Sequence, residues 1–208
     1  MGTRGKFGFF YKGKYYTCYN HFDSYPRALG VNLLLGIINA DLDEWIRLLE
    51  SIREVSNQVK PTQEEINNLK KYTDLTVGKE SPEDWFCLLR FTQGSFHHVL
   101  HSGYMENVQG VDLYEEYSYV LDLDNKMFRA KGKELKEVNI NLEKEEMMKY
   151  VKEWPEEEVV NEKYDPEEKL RNEKKARAEM YRAFKFPGDL KNDNKKNDNT
   201  SETSDNFL

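Results

Sequence analysis

Two aromatic-rich segments, Phe7 to Tyr11 and Tyr15 to Tyr19, flank Lys12-Gly13-Lys14, and this arrangement constrains the chain more than any other stretch. Bulky, β-favouring residues on either side of a glycine that can adopt positive φ specify a β-hairpin. The second strand delivers the chain into Tyr19-Asn20-His21-Phe22-Asp23-Ser24-Tyr25-Pro26. Pro26 disfavours helical geometry at Tyr25 and suits a first helical turn. A helix is therefore expected to open there and to carry Leu29, Leu33, Leu34, Ile37 and Ile38.

Three further helices follow from capping signals. Asp41 with Glu44 precedes Leu42, Trp45, Ile46, Leu49 and Ile52, apolar at spacings of three and four. Thr62 and Glu65 form a capping pair ahead of Ile66 and Leu69. Ser81 as cap, Pro82 at the first position and Asp84 in the first turn predict a fourth helix over Trp85, Phe86, Leu88 and Leu89, broken or bent at Gly94.

After Gly103 the period changes. Tyr117 to Leu123 and Met127 to Ala130 read as a second hairpin turning at Asp124-Asn125, with a short strand at 135–141 and a helix at 143–154 after it. From Glu143 onward charge dominates, and Asp165-Pro166-Glu167-Glu168 opens a helix dense in Glu, Lys and Arg. The order implies an α+β fold. A mainly antiparallel sheet from the N-terminal and central hairpins would pack against the helical segment. The expected organisation is a globular domain at 1–142, a charged helical extension at 143–187 and a disordered tail at 188–208, whose Asn, Asp, Lys, Ser and Thr supply almost no core.

Of the 208 residues 38% are apolar and 33% charged, and the C-terminal third causes the imbalance. A net charge of −7 disfavours a nucleic-acid backbone as main partner, although Lys6, Lys12 and Lys14 among the hairpin aromatics resemble the makings of a single-strand binder. The longest apolar run, Val31 to Ala40, is interrupted by Asn32, Gly36 and Asn39 and falls short of the ~20 residues that span a bilayer, so no membrane partner is expected. Cys18 and Cys87 give no disulfide framework, and a reducing, cytoplasmic setting is the natural expectation.

The candidate site is the turn after the hairpin. A helix N-terminus offers free backbone N–H groups, so Asn20, Ser24 and Tyr25, with Arg4 as a bidentate clamp, form a candidate pocket for a small anionic metabolite or a nucleotide. His21 as base and Asp23 as its orienter are the candidate catalytic pair for hydrolysis. Cap and turn chemistry is the competing reading of the same residues. Cys18 with His21 has nucleophile spacing, but a small buried thiol is the commoner outcome on a strand. His97 and His101 lie four apart and offer two metal nitrogens, yet two ligands are not a site, and the dipole at a helix end before Gly103 accounts for them. No metal or cofactor is assigned, since the Walker, dinucleotide and Gly-x-Ser-x-Gly patterns are absent.

Met1-Gly2-Thr3-Arg4-Gly5, Tyr11-Lys12-Gly13-Lys14-Tyr15-Tyr16 and Tyr19 to Pro26 with Leu29-Gly30 together resemble a family of proteins from large DNA viruses and phages, with relatives in fungi. Tyr119-Val120-Leu121-Asp122-Leu123-Asp124 is similar to a later element of that family. The resemblance implies a viral or virus-like intracellular setting, hence the host cytoplasm, and transfers no catalytic residues. Two functions follow as expectations. One is binding or hydrolysis of a small anionic ligand at the N-terminal motif. The other is a non-enzymatic scaffold that meets a host or viral protein through its charged C-terminal helices.

Overall fold

The computed structural model describes residues 3–108, 116–132, 135–153 and 165–184, with side chains through 179. The fold is α+β. Contacts divide the chain into two units, Met1–Leu170 and Arg171–Leu208.

In the first unit, β1 (Gly5–Tyr11) and β2 (Lys14–Asn20) form the expected hairpin, with Phe7 opposite Cys18 and Tyr11 opposite Lys14. The second hairpin, β5 (Tyr117–Asp122) and β6 (Met127–Lys131), is extended by β7 (Leu135–Asn139). One five-stranded sheet results, in the order β2-β1-β5-β6-β7. Its only parallel pair is β1 with β5, in register from Gly5↔Tyr117 to Phe10↔Asp122. β2 brings the chain back to the end of the sheet where β5 begins, since Asn20 and Tyr117 both pair with Gly5, and the 21–116 crossover joins the two edges of β1.

That crossover holds the helices α1 (Val31–Ile38), α2 (Leu42–Glu50), α3 (Gln63–Asn68), α4 (Trp85–Leu88) and α5 (Phe96–Ser102). It also holds a parallel ribbon of β3 (Arg53–Val55) and β4 (Tyr104–Glu106), which sequence periodicity did not reveal because each strand is three residues long. The helix expected from Pro26 opens with a π-helical turn, Pro26–Gly30, before α1 begins. Asp41 caps α2 by accepting from the amides of Asp43 and Glu44 at 3.0 Å each. Thr62 and Glu65 complete a reciprocal capping box on α3.

The fourth helix departs from expectation. Its cap is Asp84, not Ser81, and α4 is a single turn. The Ser81 hydroxyl is satisfied locally by the amide of Glu83 at 3.1 Å, while the extended backbone at Asp84 turns its carboxylate onto the amide of Phe86. Gly94 interrupts the chain as expected, and Gly103 ends α5 in the left-handed conformation.

Period-two alternation puts Phe7 and Phe9, Tyr119 and Leu121, Phe128, and Val138 on the buried sheet face. Phe96 plugs the layer above them. Its ring lies 4.8 Å from Phe9, 5.7 Å from Phe7, 6.0 Å from Trp45 and 6.4 Å from Phe128, centroid to centroid. Each such fully buried side chain contributes about 1.5–3 kcal/mol through burial. The helix α6 (Lys144–Glu153) lies in the expected charged extension and contributes Met147 and Val151 to this core. A second, smaller cluster gathers Leu69, Tyr72, Trp85, Leu88, Leu89 and Leu170.

The two hairpin turns are tied together. The carboxylate of Asp124 accepts from the amides of Lys12 at 2.9 Å and Gly13 at 3.1 Å. The last helix, α7 (Pro166–Phe184), runs from the first unit into the second, and residues 171–179 are exposed or half-buried. Among the described residues no helix is long and apolar enough to cross a membrane. The tail at 188–208, expected to be disordered, lies outside the described residues.

At Gly8 of β1 an added Cβ would stand 1.8 Å from the Tyr16 carbonyl oxygen of β2. Gly8→Ala must therefore shift a backbone rather than a side chain, and we expect a loss of about 3 kcal/mol, at the upper end of overpacking costs. Urea denaturation measures it, and a cost below about 1 kcal/mol would contradict this packing.

Candidate functional site

The turn after β2 is compact because its polar groups bond to one another. The buried Asn20 donates through Nδ2 to the carbonyl of Phe22 at 2.5 Å and to the Ser24 hydroxyl at 2.8 Å. The Ser24 amide donates to the Thr3 carbonyl at 3.2 Å, and the buried Tyr119 hydroxyl donates to the Ser24 carbonyl at 2.7 Å. A Cβ on Gly5 would lie 2.7 Å from Ser24 Cβ, so this glycine lets the N-terminal segment lie against the turn. Asp23 sits at φ 51 and its backbone carbonyl accepts from the Leu29 amide at 3.2 Å.

The structure thus brings together some of the expected site residues and separates others. Asn20 and Ser24 meet, but as turn scaffolding, with both side chains buried. Neither Asp23 nor Ser24 caps the helical turn through its side chain. The Arg4 and Asp23 side chains are exposed, and Tyr25 is half-buried with Arg27 stacked 5.0 Å above its ring. His21 Nδ1 lies 3.0 Å from the Tyr19 hydroxyl. Among the described residues no hydrogen bond or ion pair joins His21 to Asp23.

His21 instead faces the segment that follows α4. Its amide donates to Gln93 Oε1 at 3.2 Å, and its ring meets Phe86 edge-on at 6.4 Å. Beyond this contact a cavity of about 470 Å³ opens between the β2 edge of the main sheet and the second core cluster. Cys18 and Tyr19 form one wall, Phe86 and Leu89 a second, and Tyr104, Met105 and Glu106 a third. The lining is mostly apolar, with Asn57, Lys79, Asp84, Thr92 and Gln93 as its polar points.

Two carboxylates give the cavity its electrostatics. Asp84 is committed to structure, since Oδ2 accepts from the Lys79 amide at 3.3 Å while Oδ1 caps α4. Glu106 accepts from Asn57 Nδ2 at 2.8 Å, and burial, followed by the nearby Asp84 charge, pushes its carboxyl above the ordinary range. Burial also raises the Cys18 thiol far from thiolate, with the Glu106 charge adding to the effect, so Cys18 is a small core residue rather than a nucleophile.

A separate group of ligating side chains lies where α5 passes the start of α7. His97, His98 and Glu167 each place one ligand atom within 4.8 Å of the others. His101, the expected partner of His97, instead stacks on it at 3.8 Å between centroids, and its Nε2 lies 3.9 Å from Glu44. Burial, and then His97, lower His98 to about 4.

No family model, curated protein or solved structure matches the chain. Sequence reasoning reached Tyr19, His21 and the cap signal around Asp84 but missed Glu106 and Gln93, which lie on a three-residue strand and in a loop with no periodicity. Glu167 was equally invisible as a neighbour of His98, because only the packing of the α7 start brings them together.

Two outcomes check this geometry. Asn20→Ala removes two buried hydrogen bonds and should cost about 1–3 kcal/mol, whereas Arg4→Ala, at an exposed position, should stay within about 0.5 kcal/mol; equal effects by chemical denaturation would overturn the scaffolding role. For Glu106 the folded state holds its proton to higher pH than the unfolded chain, whose reference value is 4.5. The wild type should therefore lose stability relative to Glu106→Gln as pH rises from that value through the raised folded one, and the difference should then level off. Urea midpoints for both proteins across that range give the profile, and a flat difference would refute the shift.

Proposed function

We propose that this chain is a small-molecule-binding protein whose ligand inserts a flat, largely apolar ring into the cavity beside Tyr19 and His21. The observation that carries this reading is the cavity itself, with aromatic walls from Phe86 and Tyr104 and a carboxyl, Glu106, held toward its neutral form at one side. Such a carboxyl accepts hydrogen bonds and, when protonated, also donates one, which matches the paired donors and acceptors on the edge of a nucleobase. Among the lining residues Lys79 is the one cation beside Asp84 and Glu106, so a phosphate is disfavoured inside. A nucleoside, or a nucleotide with its phosphate at the mouth, is the class that fits.

This reading keeps the nucleotide class expected from the turn but moves its recognition from Asn20 and Ser24 to the cavity. Binding is favoured over hydrolysis, because His21 Nδ1 is engaged by the Tyr19 hydroxyl at 3.0 Å. The resemblance of residues 1–30 to proteins of large DNA viruses and phages supports the host cytoplasm as the setting.

A thermal-shift series with nucleosides and their monophosphates tests the proposal on the full chain. A ligand at 100 times its Kd adds about 2.7 kcal/mol to the folded state, a shift that Phe86→Ala and Glu106→Gln should each diminish while Arg4→Ala leaves it in place. No shift in wild type, or a shift indifferent to both cavity variants, would remove the proposal.

A further inference from the structure

The Nε2 atoms of His97 and His98 point toward Glu167 Oε1 from 4.0 and 3.7 Å, too far for hydrogen bonds. His98 is 2% exposed, and its Nε2 has no hydrogen-bond partner among the described residues. An orphaned buried ring nitrogen beside a carboxylate oxygen and a second imidazole is an incomplete arrangement, since buried polar atoms otherwise find partners. We propose that His97, His98 and Glu167 bind one divalent transition-metal ion of the zinc class, with a fourth coordination position open to solvent.

The donor set suits such an ion. Two imidazoles and one carboxylate are ligands that zinc accepts at about 2.0–2.2 Å, which places tetrahedral neighbours about 3.3–3.6 Å apart. The two histidine–glutamate separations need to contract by less than about 1 Å and the 4.8 Å spread of the set by about 1.5 Å at most, and His97 and Glu167, at 25% and 39% side-chain exposure, have room to move. The two histidines occupy successive positions of α5, and their rings meet at 75° with centroids 5.4 Å apart, so they approach the ion from different directions. Tyr72 packs against the His98 ring at 5.8 Å and walls off that side.

Two neighbours shape the site without joining it. His101 Nδ1 lies 2.9 Å from the His97 carbonyl, and its ring backs that of His97, which fixes the orientation of the ligand. Lys71 donates to Glu167 Oε1 at 2.7 Å and is the competitor for that oxygen. Their ion pair is about half exposed and weakly held, so a doubly charged ion at close range displaces the ammonium toward solvent. Metal binding would clasp α5 to the first turn of α7.

The test uses the full chain, stripped with chelator and titrated with Zn²⁺ by calorimetry and with Co²⁺ by visible absorption. One equivalent should bind, Co²⁺ should give a low-coordinate d–d spectrum, and Zn²⁺ should raise the melting temperature. His97→Ala and Glu167→Gln, both at partly exposed positions, should each weaken Zn²⁺ binding by at least about tenfold, and Lys71→Gln should tighten it by relieving the competition. Absence of saturable binding by the wild type overturns the proposal. So does binding that both ligand variants leave unchanged while their near-ultraviolet dichroism stays native, because the ion then sits elsewhere on an acid-rich chain.

Discussion

The parallel pairing of β1 with β5 is the constraint on which the rest of the molecule depends. Two adjacent hairpins could have joined edge to edge in an all-antiparallel meander with a short connection. Here β1 lies between β2 and β5 instead: β2 returns the chain to the end of the sheet where β5 begins, since Asn20 and Tyr117 both pair with Gly5, and β5 takes the other edge of β1. The helices α1 to α5 all belong to the excursion between these two edges, and Phe96 fixes where it packs. Its ring joins β1, α2 and β6 in one set of contacts. Asp124 adds a second fastening, because its carboxylate takes both free amides of the first hairpin's turn.

The same excursion creates the cavity. A crossover of this length cannot pack wholly on one sheet face, and its middle part builds a second cluster around Trp85 and Leu88. The segment after β4 then returns along the open edge of β2, where the Val108 amide donates to the Thr17 carbonyl at 2.8 Å and Asn107 Oδ1 accepts from the Thr17 amide at 3.2 Å. An exposed edge strand is thereby covered, and the space between the edge and the second cluster is left as a concavity. Glu106 is desolvated for this reason and not through any local sequence preference.

Elements with their own local signal were legible in the sequence. The two hairpins, the Asp41 and Thr62 caps and the break at Gly94 each rest on residues within a few positions of one another. Ser81 shows where cap signals alone fall short, because two cap residues three positions apart competed for one helix start and the contacts of Asp84 with Lys79 and Cys87 hold it at the cap. In the N-terminal motif Asn20 and Ser24, expected to meet a ligand, are directed inward. Asn20 and Ser24 satisfy each other, and Tyr119, ninety-five positions away in sequence, completes the turn. The cavity and the histidine cluster depend on contacts between distant segments, and neither periodicity nor spacing encodes those.

Charge completes the argument about what the hairpin does. Lysines among exposed aromatics on an acidic protein suggest a local field for phosphate, yet the fold places an acid opposite each lysine of the turn. Lys12 pairs with Glu50 at 2.7 Å, an acid that the Tyr11 hydroxyl also reaches, and Lys14 pairs with Glu54. Exposed pairs of this kind add little stability. Their effect is electrostatic, since an acid beside each lysine lowers the positive field that the turn presents at the surface. What remains for recognition is shape and burial rather than net field, and the features of the first unit that offer them are the cavity beside Tyr19 and the orphaned nitrogen of His98.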